Sequence, residues 1–299
     1  MMKTVAVALL VVGMLLVAVA LDNSTAQAQP DGADATTKPK ELVLDLGDKV
    51  TLKLLQIPAG KFLMGSPKDE KDRGDDEGMP PGKWVNGSPQ FEVTISKPFY
   101  LGVYEVTVAQ YAQFVKDTGQ KHEEPDFKQP GDYPVVNVSW DNAQAFCAWL
   151  SKKTGKTVTL PTEAQWEYAC RAGSKTRFGF GDKEEELGDY AWYDGNSMDK
   201  DKGAKMTHPV GQKKPNAWGL YDMHGNVWEW CADYYGEYTG AGADPTGPKD
   251  GGLRVLRGGS WNFNPRICRS ADRDGSNPDY RNVDGGFRVA VASAGVDLP

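Results

Sequence analysis

The chain opens on an unbroken apolar run from Val5 to Leu21, with Lys3 before it and the small-residue triplet Ala26-Gln27-Ala28 after it. A charged start, an apolar core and a small-residue site are the layout of a secretory signal, so residues 1–28 are expected to be cleaved and the remainder exported, to a periplasm or to the outside. The run is long for a signal core and reaches the lower limit for a spanning helix; an uncleaved N-terminal membrane anchor is the alternative. The polar, aperiodic stretch QPDGADATTKPK follows, and the linker is set at residues 29–45 with the domain at 46–295.

Alternation then takes over. Leu42, Leu44 and Leu46, then Val50, Leu52 and Leu54, fall on one face at period two around a turn at Gly47-Asp48, and Phe62-Leu63-Met64 follows a turn at Ala59-Gly60. These segments are expected to be strands, as are Phe91–Ile95 and Phe99–Val103. Between them, residues 68–90 mix charge, Gly and Pro without a period, the pattern of a long surface loop.

The period next becomes helical. Thr107 can cap a helix running through Val115, with Val108, Tyr111, Ala112 and Val115 on one face. A second helix follows Ser139, striped by Ala143, Phe146, Cys147 and Leu150 and ending near Gly155. Thr162-Glu-Ala-Gln165 is a capping box for a third, with Trp166, Ala169 and Cys170 facing inward. After Gly173 only turns, aromatics and short apolar runs remain. The fold class is therefore α+β, with an irregular second half in which Trp218, Trp228, Trp230 and Trp261 are core candidates.

Composition changes this picture in two places. With 34 Gly and 19 Pro the chain cannot be a helical bundle, and with 34 Lys+Arg against 41 Asp+Glu its net charge of -7 excludes a duplex nucleic-acid binder. The four cysteines, Cys147, Cys170, Cys231 and Cys268, form no CxxC pair, and an exported chain can use them as disulfides in any of three connectivities or keep them as thiols. The three histidines, His122, His208 and His224, show no i, i+4 spacing, so zinc or non-haem iron has no ligand set in sequence, and His224 reads as a hydrogen-bonded structural residue.

Several phrases together point to a family: Ile57-Pro-Ala-Gly-Lys-Phe-Leu-Met-Gly65, Lys97-Pro-Phe-Tyr-Leu-Gly-Val-Tyr-Glu-Val-Thr107, Pro134-Val-Val-Asn-Val-Ser-Trp140, Leu160-Pro-Thr-Glu-Ala-Gln-Trp-Glu-Tyr168, Gly219-Leu-Tyr-Asp-Met-His-Gly-Asn-Val-Trp-Glu-Trp230, Arg257-Gly-Gly-Ser-Trp261 and Gly286-Phe-Arg-Val289. In that order, over residues 50–292, they closely resemble the formylglycine-generating enzyme, or sulfatase-modifying factor, family. The resemblance implies a variant of the C-type-lectin fold and an oxygen-dependent oxidation of a cysteine, within a Cys-x-Pro-x-Arg segment, to formylglycine by Cu(I) held between two thiolates. Soft Cu(I) suits such a pair.

The second of those thiolates falls on Cys268, but the first falls on Phe263, so the implied copper pair is incomplete. The implied active-site serine falls on Ser260. Disulfide partners that the family gives to Cys147 and Cys170 fall on Val289 and Arg273, which leaves both cysteines unmated or re-paired, for example Cys231 with Cys268. The resemblance also implies calcium at Asp222 and Glu229 with the carbonyls of Gly225 and Val227, since hard cations take such oxygen shells. A second implied calcium site uses Asn196 and the carbonyl of Ser197, its downstream acid falling at Lys202 beside Asp201.

Two functions remain open at this stage. One is an exported oxidoreductase that modifies a protein or thiol substrate with altered metal chemistry. The other is a non-catalytic binding module, monomeric, that takes an exported protein, a peptide or a glycan on the surface around Asn262, Phe263, Asn264 and Arg266.

Overall fold

The computed structural model describes residues 40–73, 90–201, 203–238 and 240–293. The expected signal segment, most of the linker and the greater part of the 68–90 loop lie outside the described residues. Strand β1 (Glu41–Gly47) turns back into β2 (Val50–Ile57), and their register from Glu41 opposite Leu55 puts Leu44, Leu46, Leu52 and Leu54 on the buried face. Residues 41–45 of the expected linker are thus the first half of a hairpin; their alternation already satisfies the strand pattern.

β3 (Gly60–Met64) pairs with β4 (Phe91–Ile95), and β5 (Phe99–Gly102) pairs with β2. Helix α1 (Val108–Thr118) starts at Thr107 and α2 (Trp140–Thr154) at Ser139, each with a complete capping box, and each stops at a glycine in the left-handed region, Gly119 (φ 71°) and Gly155 (φ 66°). Only Gly adopts that conformation without a Cβ penalty, which is why the helices end there. The buried face of α1 is centred on Tyr111 and Phe114; the expected inward Ala112 is exposed, because the larger Phe114 takes the core position.

A short β6 (Val158–Thr159) leads to α3 (Glu163–Arg171), all nine residues of which are buried. Beyond it the elements are short, as the sequence suggests: α4 (Leu187–Tyr190), β7 (Met198–Asp199), β8 (Ala204–Lys205), β9 (Trp228–Tyr234), β10 (Gly242–Ala243), β11 (Arg254–Arg257), β12 (Arg273–Ser276), β13 (Gly285–Gly286) and β14 (Ala290–Ala292). The last strand inserts between β5 and β6, so one sheet runs β1-β2-β5-β14-β6 and gathers both ends of the domain. A second runs β12-β11-β9-β13 and a third β10-β4-β3. The α+β class holds, and Trp228, Trp230 and Trp261 are buried with Trp218 packed against the core.

The burial of α3 depends on charge pairing. Arg273 holds Glu163 with two bonds of 2.6 Å, Arg171 holds Glu167 at 2.8 Å, and Arg257 bridges Glu163 and Glu167. Buried carboxylates of this kind survive only when paired, and here every acid on the helix has an arginine. Arg273 is also the position where the resemblance places the cystine partner of Cys170. An ion pair to α3 stands there instead.

Candidate functional site

The Arg257-Gly-Gly-Ser-Trp261 phrase leaves β11 through two glycines with positive φ, Gly258 at 97° and Gly259 at 72°. A Cβ at Gly259 would lie 2.9 Å from both the Cys268 sulfur and the Ile267 carbonyl oxygen, so the turn folds flat against the segment that returns with Cys268. Ser260 is fully buried and its hydroxyl donates to Asp284 Oδ2 at 2.9 Å, while the Asn262 amide donates to Ser260 Oγ at 3.3 Å. These bonds fix a turn. They leave Ser260 no open face toward a substrate.

Phe263 and Cys268 point into different surroundings. Phe263 packs on the first core cluster, edge-to-face with Trp228 at 5.7 Å, whereas Cys268 is fully buried in a separate aromatic cluster of Phe178, Phe180, Leu187 and Ala191. Burial pushes the Cys268 thiol well above its usual range, with Asp272 and Asp194 adding to the effect. The thiolate that a soft metal needs is therefore disfavoured. Cys231 sits on β9 in a third cluster and supplies no second sulfur. All four cysteines are buried free thiols, so neither the Cys231–Cys268 pairing nor any other cystine forms. Cys147 instead shares a core cluster with Val289, the apolar replacement of its implied mate.

His224 closes the site from below. The Gly179 amide donates to Nε2 at 3.1 Å, which makes Nδ1 the protonated nitrogen, and Nδ1 lies 2.8 Å from the Cys268 carbonyl as its donor. Burial lowers its pKa to about 4, so the ring is neutral at ordinary pH. Among the described residues, no three His, Cys, Asp or Glu side chains converge as a metal cage. The residues present do not fit the implied copper: one thiol is sealed, and its partner is a phenyl ring.

A family model described as "Sulfatase-modifying factor enzyme 1-like domain" matches residues 47–293. The chain belongs to the sulfatase-modifying factor family. It is 30% identical to the formylglycine-generating enzyme of Mus musculus, over 90% of this chain and 82% of that protein, and 31% identical to the "Inactive C-alpha-formylglycine-generating enzyme 2" of Bos taurus, over 83% and 90%. Among solved structures it is similar to PvdO from Pseudomonas aeruginosa, at 33% identity and a TM-score of 0.71, and to Treponema denticola variable protein 1, at 28% and 0.70; each match covers 85% of this chain and 99% of the other. The expected formylglycine-generating-enzyme variant of the C-type-lectin fold is thus the fold of this family member.

The calcium residues implied for the family divide. Asp222 is buried with a left-handed backbone (φ 56°); its Oδ2 accepts the Gly211 amide at 2.7 Å, and its Oδ1 is buried without a hydrogen-bond partner. Burial pushes this carboxyl up to about 6. Glu229 is engaged otherwise: Arg288 grips it at 2.6 and 2.7 Å, and Trp166 donates to it at 2.8 Å. Gly225 and Val227 flank the intervening turn, where a Cβ on Gly225 would lie 2.1 Å from the Trp192 carbonyl oxygen. An orphaned buried oxygen at Asp222 fits a hard cation, while the Glu229 oxygens are engaged by Arg288 and Trp166.

The oxygens of the second implied calcium pair have partners within the chain. Asn196 Oδ1 accepts the Tyr193 amide at 2.9 Å and its Nδ2 donates to the Ala191 carbonyl, while the Ser197 carbonyl already has the Met206 amide and His208 Nε2 within 3.2 Å. Both residues spend their oxygens on closing a loop. Glu105 is the residue that sequence reading missed. It is buried, pushed well above the usual carboxylate range by burial and then by Asp222, and its Oε2 has no hydrogen-bond partner. The signal was in the Lys97–Thr107 phrase, where Glu105 stands among apolar residues three positions beyond β5.

Proposed function

We propose that this chain is an exported binding member of the sulfatase-modifying factor family that has given up copper-dependent cysteine oxidation. The observation that carries the reading is the separation of Phe263 and Cys268 into two packed clusters, with the one remaining thiol sealed from solvent. A copper enzyme needs two thiolates facing one open position; here one side is a half-buried phenyl ring packed against the core. A relative of comparable identity carries the word "inactive" in its name, which agrees with loss of chemistry on a kept scaffold.

The ligand surface in this reading is the segment that leaves the old metal turn. Asn262, Asn264 and Arg266 are exposed, and the segment is held from both ends, by Asp194 N–H donating to the Phe263 carbonyl at 3.0 Å and by Arg266 Nε donating to the Asp72 carbonyl at 3.1 Å. A fixed row of amide and guanidinium groups suits an exported protein or glycan ligand by hydrogen bonding. The test has two arms on the full chain. Titration with Cu(I) against a competing chelator is expected to show no tight site. Peptide and glycan arrays are expected to give saturable binding that Asn262→Ala with Arg266→Ala abolishes; tight Cu(I) binding that Cys268→Ser removes would overturn the reading.

A further inference from the structure

Three arginines on the walls around Cys268 reach one stretch of chain. Arg177 precedes Phe178 of the Cys268 cluster and lies 4.9 Å over its ring, while Arg266 and Arg269 flank Cys268 in sequence. Arg177 Nη2 pairs with Asp72 at 2.8 Å, Arg269 Nη1 pairs with Glu70 at 2.7 Å, and Arg266 Nε donates to the Asp72 carbonyl at 3.1 Å. Residues 66–73 are thus a strap fastened to both walls. Its root is fixed on α3, where the Gly65 amide donates to Glu167 at 2.8 Å and the Gly65 carbonyl accepts Arg171 Nη2 at 2.9 Å. The strap itself is two successive turns, closed by the Glu70 amide on the Pro67 carbonyl at 3.1 Å and the Arg73 amide on the Glu70 carbonyl at 3.2 Å, with Asp72 in the left-handed region at φ 59°. Pro67 is its one apolar residue, so burial of apolar surface does little to hold it.

Breaking a buried ion pair is costly because it leaves a bare charge behind. Here it does not, since each of the two buried wall arginines has a second carboxylate: Arg177 Nη1 holds Glu184 at 2.8 Å and Arg269 Nη2 holds Asp272 at 3.1 Å. If the strap lifts, Arg177 and Arg269 keep a counter-charge and Glu70 and Asp72 pass into water. A charged segment on a fixed root, tied by shared ion pairs, is the kind of unit that opens locally well below the cost of global unfolding. We propose that residues 66–73 are a releasable ionic strap that controls access to Cys268. Closed, the strap keeps the thiol from solvent; lifted, it opens Cys268 to reagents while the other clusters stay packed. The strap concerns the protection of one thiol, and it holds whether the chain is a binder or an enzyme.

The experiment uses the full, reduced chain and follows alkylation of each cysteine by mass spectrometry, with Cys147 and Cys231, buried in the other two clusters, as internal references. Glu70→Gln combined with Asp72→Asn removes both strap charges and keeps their shapes, and Asn tolerates the left-handed backbone at position 72. Cys268 is expected to be labelled about tenfold faster, or more, in that variant, because two charge-assisted bonds no longer oppose opening; Cys147 and Cys231 are expected to keep their native rates. Should the variant not fold, the native chain in about 1 M sodium chloride decides, where the screening length falls to about 3 Å and weakens the partly exposed Asp72 pair. There Cys268 is expected to speed up relative to both references. Labelling of Cys268 that does not accelerate, or that accelerates only in step with Cys147 and Cys231, would overturn the proposal.

Discussion

His224 accepts the Gly179 amide on one nitrogen and donates to the Cys268 carbonyl from the other, so a proton can be added only by breaking a bond in a dry site. Its pKa falls from 6.5 to about 4 on folding, and the unfolded chain therefore binds more protons between those values. Stability from this residue is complete above pH 6.5 and is lost as pH drops through 4, an effect of about 3 kcal/mol. Asp233 has the opposite sign. Burial and the charge of Glu163 push it from 3.8 to about 7, so its contribution is greatest below 3.8 and is lost as pH rises through 7. Asp233→Asn is thus expected to be more stable than the native chain at pH 8 and to lose that advantage toward pH 5, as read from urea midpoints across the range. Parallel curves for the two proteins would contradict the assignment. The cysteines add a simpler check: buried thiols with raised pKa values should be silent to a thiol reagent in the native chain and should all four react once it is unfolded without reductant. A count of two would mean a cystine.

At the scale of elements, the helices were legible because their signals are local. Thr107, Ser139 and Thr162 each accept the N3 amide as the capping-box pattern requires, and Gly119 and Gly155 end α1 and α2 where a Cβ would be strained. The strands of the first hairpin were legible from alternation alone. Total burial of α3 was not, since the arginines that pair its acids, Arg257 and Arg273, lie far along the chain. Removing one partner of such a pair leaves a buried charge, and Arg273→Met is expected to cost about 3–5 kcal/mol. Adding Glu163→Gln to that variant should recover part of the loss, measured as a double-mutant cycle by denaturant unfolding. Additive losses would mean that the pair does not couple. The Glu105 and Asp222 oxygens were illegible for the same reason: their lack of partners is a property of the assembled neighbourhood.

Across the whole molecule, the family fold is kept, and the proposed reading is that its copper chemistry is not. β14 returns between β5 and β6, the glycine turn after β11 is intact, and His224 still props the segment that ends in Cys268. Phe263 was visible in sequence as the break in the implied copper pair, but sequence could not show that Phe263 and Cys268 pack in different clusters. The most direct test is to supply the full chain with Cu(I), oxygen and a Cys-x-Pro-x-Arg peptide and to search the peptide by mass spectrometry for the formylglycine aldehyde, with Cys268→Ser run beside it. The account predicts no aldehyde from either protein; aldehyde from the native chain that disappears in Cys268→Ser would contradict it.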